Sequence, residues 1–210
     1  MSAVLEKPIV YGTIAFWLGK KAEESKSHRW TCYLRSNRPD EDLGLFVRKV
    51  VFTLHPSFNP PTRTVEKAPF DVTEFGWGEF DISATIHFVD PTETPVELLI
   101  PLRLYPDTGE QLVPKRAVVA ERYDELVFVN PSETLHQRLL QSDKPGSGWS
   151  NHVLAEHWAS FDTAREAQQL GALREKVGGM LDTAQTRKAD LEAELKGLHA
   201  EISHLENKMR

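Results

Sequence analysis

Hydrophobic residues recur along this chain with two periods, and the change between them comes once. From Ile9 to about Phe128 the period is two. The best run sets Phe80, Ile82, Ala84, Ile86 and Phe88 against Asp81, Ser83, Thr85 and His87, which predicts a strand with one face in a core and one in water. Val96, Leu98, Ile100, Leu102 and Leu104 repeat the pattern with Pro101 inside the run. Proline cannot donate to a ladder, so this strand belongs at a sheet edge or carries a bulge. Further strands are predicted through Tyr11 to Phe16, Trp30-Cys32-Leu34 and Val50-Phe52-Leu54, and Ala117 to Val129 supplies one or two more. Short alternating strands separated by Pro, Gly, Asn and Asp, with no helical pattern between them, predict an all-β antiparallel sandwich.

Helices enter afterwards. Pro131-Ser132-Glu133 opens a short terminal helix carrying Leu135, Leu139 and Leu140, which closes a first domain over 1–141. The stretch 142–150, SDKPGSGWS, holds neither period and predicts a linker to a helical region over 151–210. In that region the period becomes 3.5. With Leu170 at d, Val177, Ala184, Leu191, Leu198 and Leu205 follow at d, while Arg174, Leu181, Lys188, Leu195, Ile202 and Met209 fall at a. Ten of these twelve seam positions are apolar and the frame does not skip, so a coiled coil is predicted over about 170–209. Gly178 and Gly179 each cost about 1 kcal/mol in a helix interior, which makes the early heptads the weak end. The expected partner-binding residues are Leu181, Leu191, Leu195, Leu198, Ile202 and Leu205. In a parallel self-pair Arg187 would meet Glu192 favourably but Glu201 would meet Glu206 with like sign, a mixture that leans towards a different partner helix and leaves a homodimer open.

Composition narrows the function classes. The net charge is −6, with 17 Lys+Arg against 21 Asp+Glu over 1–150 and 8 against 10 over 151–210. Neither part has the basic surplus that coats nucleic acid, so no direct sequence-specific nucleic-acid binding is expected. No stretch reaches the roughly 18–20 apolar residues of a membrane span, and the first twenty residues lack a small-residue cleavage site. Cys32 is the only cysteine, which excludes an intrachain disulfide and a multi-thiolate metal site and points to a reducing compartment. No phosphate loop, His-Glu-x-x-His or Gly-x-Ser-x-Gly occurs, so no catalytic residue, metal or cofactor is expected. His152 with His157, and His199 with His204, stand five apart, which does not bring two rings to one helical face; they read as solvated helix histidines. Cys32 shares its strand face with Trp30 and Leu34 and reads as core.

Two loop-like segments stand out, 54–61 (LHPSFNPP) and 74–80 (EFGWGEF). Each carries aromatics where a loop is normally polar, and in a sandwich such loops gather at one end. Gly76 and Gly78 flank Trp77, letting backbone approach a ligand while the indole stands out. His55, Phe58, Trp77 and Phe80 offer aromatic planes, with a hydroxyl from Ser57 and a backbone N–H at Trp77. That make-up suits a flat, neutral group with a carbonyl acceptor. Core packing of Phe80, an end cover by Phe58 and a turn cap by His55 would account for the same residues without a ligand.

The pairing of Leu-His-x-Ser-Phe with Gly-Trp-Gly-Glu-Phe resembles the YEATS domain, and so do Lys7 to Gly12, His28-Arg29-Trp30, Val118 to Phe128 and Asn130-Pro131. The resemblance runs from about Lys7 to Leu140, and one branch of the family also carries a C-terminal coiled coil. It implies an immunoglobulin-like antiparallel sandwich that reads acyl-lysine (acetyl or crotonyl) on histone tails. It implies a nuclear protein in a histone-acetyltransferase or histone-variant-exchange complex, joined to other subunits through the coiled coil. Carried over by residue, His55, Phe58, Trp77 and Phe80 enclose the acyl group, Ser57 bonds its amide, the Trp77 N–H meets its oxygen, and Gly76 and Gly78 give room. Pro56 stands where relatives carry an acidic residue, and Lys26 where some carry an aromatic. The competing expectation is a scaffold whose sandwich and coiled coil only assemble proteins, its aromatic loops covered by a partner subunit.

Overall fold

A computed structural model of the chain describes residues 3–106, 109, 111–146 and 148–208, helix side chains at 163, 200, 201, 203, 204 and 206 aside. Two four-stranded antiparallel sheets face each other. The first has the order β5-β2-β1-β8 and the second β4-β3-β6-β7. The strands are β1 (Val4–Trp17), β2 (His28–Ser36), β3 (Val47–Thr53), β4 (Thr62–Val65), β5 (Phe70–Gly76), β6 (Asp81–Phe88), β7 (Val96–Pro101) and β8 (Ala117–Val129). The inward positions of β6 are those the alternation picks out: Ile82, Ala84, Ile86 and Phe88 are buried against Val50, Phe52, Leu98 and Ile100. Trp30, Cys32 and Leu34 project into the same core from the opposite sheet. Cys32 is fully buried, and burial raises its thiol pKa far above the usual range, so it is an inert core residue.

β7 lies at a sheet edge and ends at Pro101, as its proline requires, although Leu102 and Leu104 continue into the core as irregular chain. Ala117–Val129 is a single thirteen-residue strand along β1. β4 and β5 have no counterpart in the expected set. α1 (Glu133–Ser142) starts with Ser132 capping the Leu135 N–H and buries Leu135 and Leu139.

The predicted linker is not a linker. Residues 148–161 run as a strap over the face of the first sheet that carries Ile14 and Tyr33, apart from the main core, and the compact unit ends at Phe161. Trp149, Leu154 and Trp158 pack on Ile14 and Tyr33 in a second hydrophobic cluster. The Arg35 guanidinium lies 4.8 Å from the Trp149 ring and 5.5 Å from that of Trp158. It also donates to Glu121 and to the Ala159 carbonyl, each at 2.8 Å. The Trp149 indole donates to Ser36 O at 2.8 Å, and Asn37 exchanges two hydrogen bonds with the Phe161 backbone. A Cβ on Gly148 would lie 2.3 Å from Pro39 O, so that close crossing requires glycine. The helical region expected from 151 therefore starts later. Residues 155–157 make a single 3₁₀ turn, and His152 is a packed residue, stacked at 4.5 Å on Trp158 with Nε2 3.5 Å from Asp71.

The second unit, from Asp162, holds α2 (Thr163–Lys208), one continuous 46-residue helix through Gly178 and Gly179. Leu170, Val177, Leu181, Leu191, Leu195, Leu198, Ile202 and Leu205 are all exposed along it. Met209 and the side chain of His204 lie outside the described residues. Among the described residues no helix is long and apolar enough to cross a membrane.

Candidate functional site

One end of the sandwich gathers the carboxyl ends of β1, β3, β5 and β7 with the amino ends of β2, β4 and β6, as antiparallel pairing demands. The β3–β4 and β5–β6 connections both lie there. The first is closed by Leu54 N–H donating to Pro61 O at 2.8 Å and by Phe58 N–H donating to His55 O at 3.0 Å. Inside this turn His55 Nδ1 accepts the Ser57 N–H at 3.2 Å and lies 2.9 Å from Ser57 Oγ. A ring nitrogen that accepts the backbone proton carries none itself, so the Ser57 hydroxyl is the donor in the second contact. Its lone pairs remain to accept an amide N–H from outside.

Phe58 is half-buried and packs T-shaped against Trp30 with centroids 5.8 Å apart; Phe80 meets the same indole at 5.9 Å and Phe58 at 5.7 Å. His55 lies 5.9 Å from Phe80. His55, Phe58 and Phe80 are therefore one aromatic cluster standing on Trp30. Trp77 is set apart: it is 66% exposed and borders an open cleft with Glu23, Glu24 and Ser25. No ring contact among the described residues joins its indole to the cluster. Gly76 is buried above Trp30, and a Cβ there would fall 3.2 Å from the Trp30 Nε1 and 3.9 Å from Phe58. At Gly78 the space is open.

The β5–β6 loop is pinned from behind. Glu79 accepts the Leu104 N–H at 2.7 Å and the Tyr105 N–H at 3.3 Å, and pairs with Arg103 at 3.2 Å. Burial raises the Glu79 pKa, but these donors outweigh it and hold the carboxyl below its ordinary value. The aromatic loops are thus tied to the scaffold while their solvent faces stay open.

Several residues of this end carry no local signal of their role in the sequence. Trp30 reads from its strand parity as plain core, which it is, yet its indole is the platform for both loop phenylalanines. Glu79 has no signal in the chain beyond its place between Gly78 and Phe80, because its partners lie about 25 residues away. Ser27, His28 and Tyr105 join the same end, with the rings of His28 and Tyr105 5.3 Å apart.

Fold and site together define a β-sandwich whose loop-built aromatic end is open to solvent. The family model described as the YEATS family matches residues 25–106. The Transcription initiation factor TFIID subunit 14b of Arabidopsis thaliana is 43% identical, covering 81% of this chain and 73% of its own. The Protein AF-9 homolog of Eremothecium gossypii is 32% identical over 90% of this chain and 92% of its own. The chain belongs to the YEATS family. Among solved structures it is similar to the Yaf9 YEATS domain bound to H3K27ac, with 34% identity and a TM-score of 0.59 over 67% of this chain and 96% of that one. The Yaf9 YEATS domain recognising an H3K122suc peptide is similar to the same extent, with 35% identity and a TM-score of 0.58. The antiparallel immunoglobulin-like sandwich is the fold shared with these structures.

Proposed function

We propose that this protein is a non-catalytic reader of acylated lysine on histone tails, acting in the nucleus within a transcription or chromatin-modifying complex. The observation that carries the reading is the open aromatic end: His55, Phe58 and Phe80 on the Trp30 platform, with the exposed Trp77 on the β5–β6 loop of the same end. An acyl-lysine amide is planar, with one donor and one acceptor. The Ser57 oxygen accepts its N–H, the Trp77 N–H donates to its carbonyl, and the ring faces cover the acyl tail. Gly76 and Gly78 leave the backbone bare between them. Unmodified lysine carries a charged ammonium with donors only, leaving the Trp77 N–H unmatched and a charge against aromatic surface. Relatives whose structures hold H3K27ac and H3K122suc peptides support histone tails as the ligand.

The exposed apolar stripe of α2 supports a second role as tether. A lone amphipathic helix gains its stability by burying such a stripe, so Leu181, Leu191, Leu195, Leu198, Ile202 and Leu205 pair with another helix. The partner is another subunit of the complex or a second copy. The test of the reader is a titration of the full chain with a histone-tail peptide carrying acetyl-, crotonyl- or unmodified lysine. Saturable binding of the acylated forms only is expected. Equal affinity for the unmodified peptide, falling steeply with salt, would show that surface acidity and not the slot makes the contact.

A further inference from the structure

We propose that Ser27 and His28 are positioning residues for acyl-lysine recognition, setting the direction in which the Trp77 N–H points. The inference rests on the reading of the slot given above. Gly76 ends β5, an edge strand whose one sheet neighbour among the described residues is β2, and in register it faces His28. Its backbone can be held only from the β2 side, and it has no side chain to anchor it.

Beside its ladder pairing with His28, the Gly76 carbonyl is held by Ser27, whose hydroxyl donates to it at 3.4 Å. That carbonyl therefore points towards β2. In a planar trans peptide the C=O and the following N–H point in opposite directions. The Trp77 N–H is thus turned away from β2 to the open edge of the sheet, where no acceptor among the described residues meets it.

The same hydroxyl fixes the state of His28. Ser27 has one proton and it is spent on Gly76, so in the 3.0 Å contact between Ser27 Oγ and His28 Nδ1 the imidazole is the donor. His28 then carries its proton on Nδ1 and leaves Nε2 as a bare acceptor. That atom is buried with no hydrogen-bond partner among the described residues, in a side chain only 1% exposed. A buried acceptor left unmatched is a cost the fold retains here, and the relay from His28 through Ser27 to Gly76 gives it a purpose. The ring is braced by the edge of Tyr105, whose N–H is bound by Glu79. Burial lowers the His28 pKa while the nearby Glu79 charge opposes this, which keeps the imidazole neutral. A donor held in place before the ligand arrives binds more tightly than one that must be ordered on contact.

The experiment is calorimetric titration of the full chain and its variants with an acetyl-lysine histone-tail peptide, with thermal unfolding of each variant alongside. Ser27→Ala should weaken binding at least fivefold, and Ser27→Thr, which restores the hydroxyl, should return it to within twofold. His28→Asn keeps a donor where Nδ1 stood and should bind within threefold of the parent, whereas His28→Phe keeps the bulk, loses the donor and should fall with Ser27→Ala. Parent-like affinity for Ser27→Ala would overturn the relay and leave the slot reading standing. Equal weakening by Ser27→Ala and Ser27→Thr would also overturn it, because the hydroxyl would then not be what matters. If the parent chain itself fails to bind, the slot reading falls and the relay with it.

Discussion

Replacing Trp158 by alanine tests the strap most directly. The indole is 8% exposed and sits 4.8 Å from Tyr33, 5.6 Å from Trp149 and in a near-parallel stack on His152. A tryptophan buries on the order of 200 Å², which at about 25 cal/mol per Å² corresponds to roughly 5 kcal/mol as an upper value. Measured Trp-to-Ala changes in cores run about 3–5 kcal/mol. Here the loss has a ceiling, because the strap cluster of Ile14, Tyr33, Leu154 and Trp158 is separate from the main core. Residues 148–161 can peel away without opening the sandwich, so the loss cannot exceed the strap's own docking free energy. We expect about 3 kcal/mol, a fall in Tm of roughly 6–12 °C for a unit of this size. Hydrogen exchange should speed up across 149–161 while β3 and β6 stay protected. A loss under about 1 kcal/mol, with exchange over 149–161 unchanged, would mean the segment gains nothing from docking. The boundary would then belong at 142–150, where the chain pattern alone puts it.

Trp77→Ala should lower acyl-peptide affinity more than tenfold with Tm unchanged, since a solvent-exposed indole contributes to the ligand and little to the core; titration and thermal unfolding check both halves, and unfolding instead of lost binding would contradict the reading. Charging the α2 seam with Leu195→Asp and Ile202→Asp together should remove the protein from its complex without affecting peptide binding, measured by co-purification and titration; full retention would place the tether on the sandwich. Glu79 makes the open end acid-sensitive. Its folded pKa is depressed, so its contribution to stability is complete above about pH 4.3, the ordinary glutamate value, and is lost as pH falls through the lower folded value. Urea unfolding from pH 5 to pH 3 should show that loss in the parent chain and a weaker one in Glu79→Gln; identical slopes would remove Glu79 from the account.

What the sequence determines by itself is what nearest neighbours along the chain encode. Period two exposes the inward faces of β2, β3, β6 and β7, because a strand's sidedness is local, and period 3.5 exposes the seam of α2 for the same reason. The aromatic loops are legible because His55, Phe58 and Trp77 are costly residues to leave in turns between strands. Where the local signal is weak the reading fails: Thr62–Val65 alternates only between exposed and half-buried positions, and Phe70–Gly76 carries Asp71 and Glu74 among its few apolar residues. The strap has no period at all. Trp149 and Trp158 find their partners on Ile14, Tyr33 and Arg35, more than a hundred residues earlier, so the chain that follows a linker-like composition is held down by contacts no local pattern records. Tertiary structure likewise decides that Phe58 and Phe80 share one indole while Trp77 stands apart. It also lets a serine at the start of β2 aim the backbone at the end of β5, because only the folded sheet brings residues 49 positions apart within a hydrogen bond.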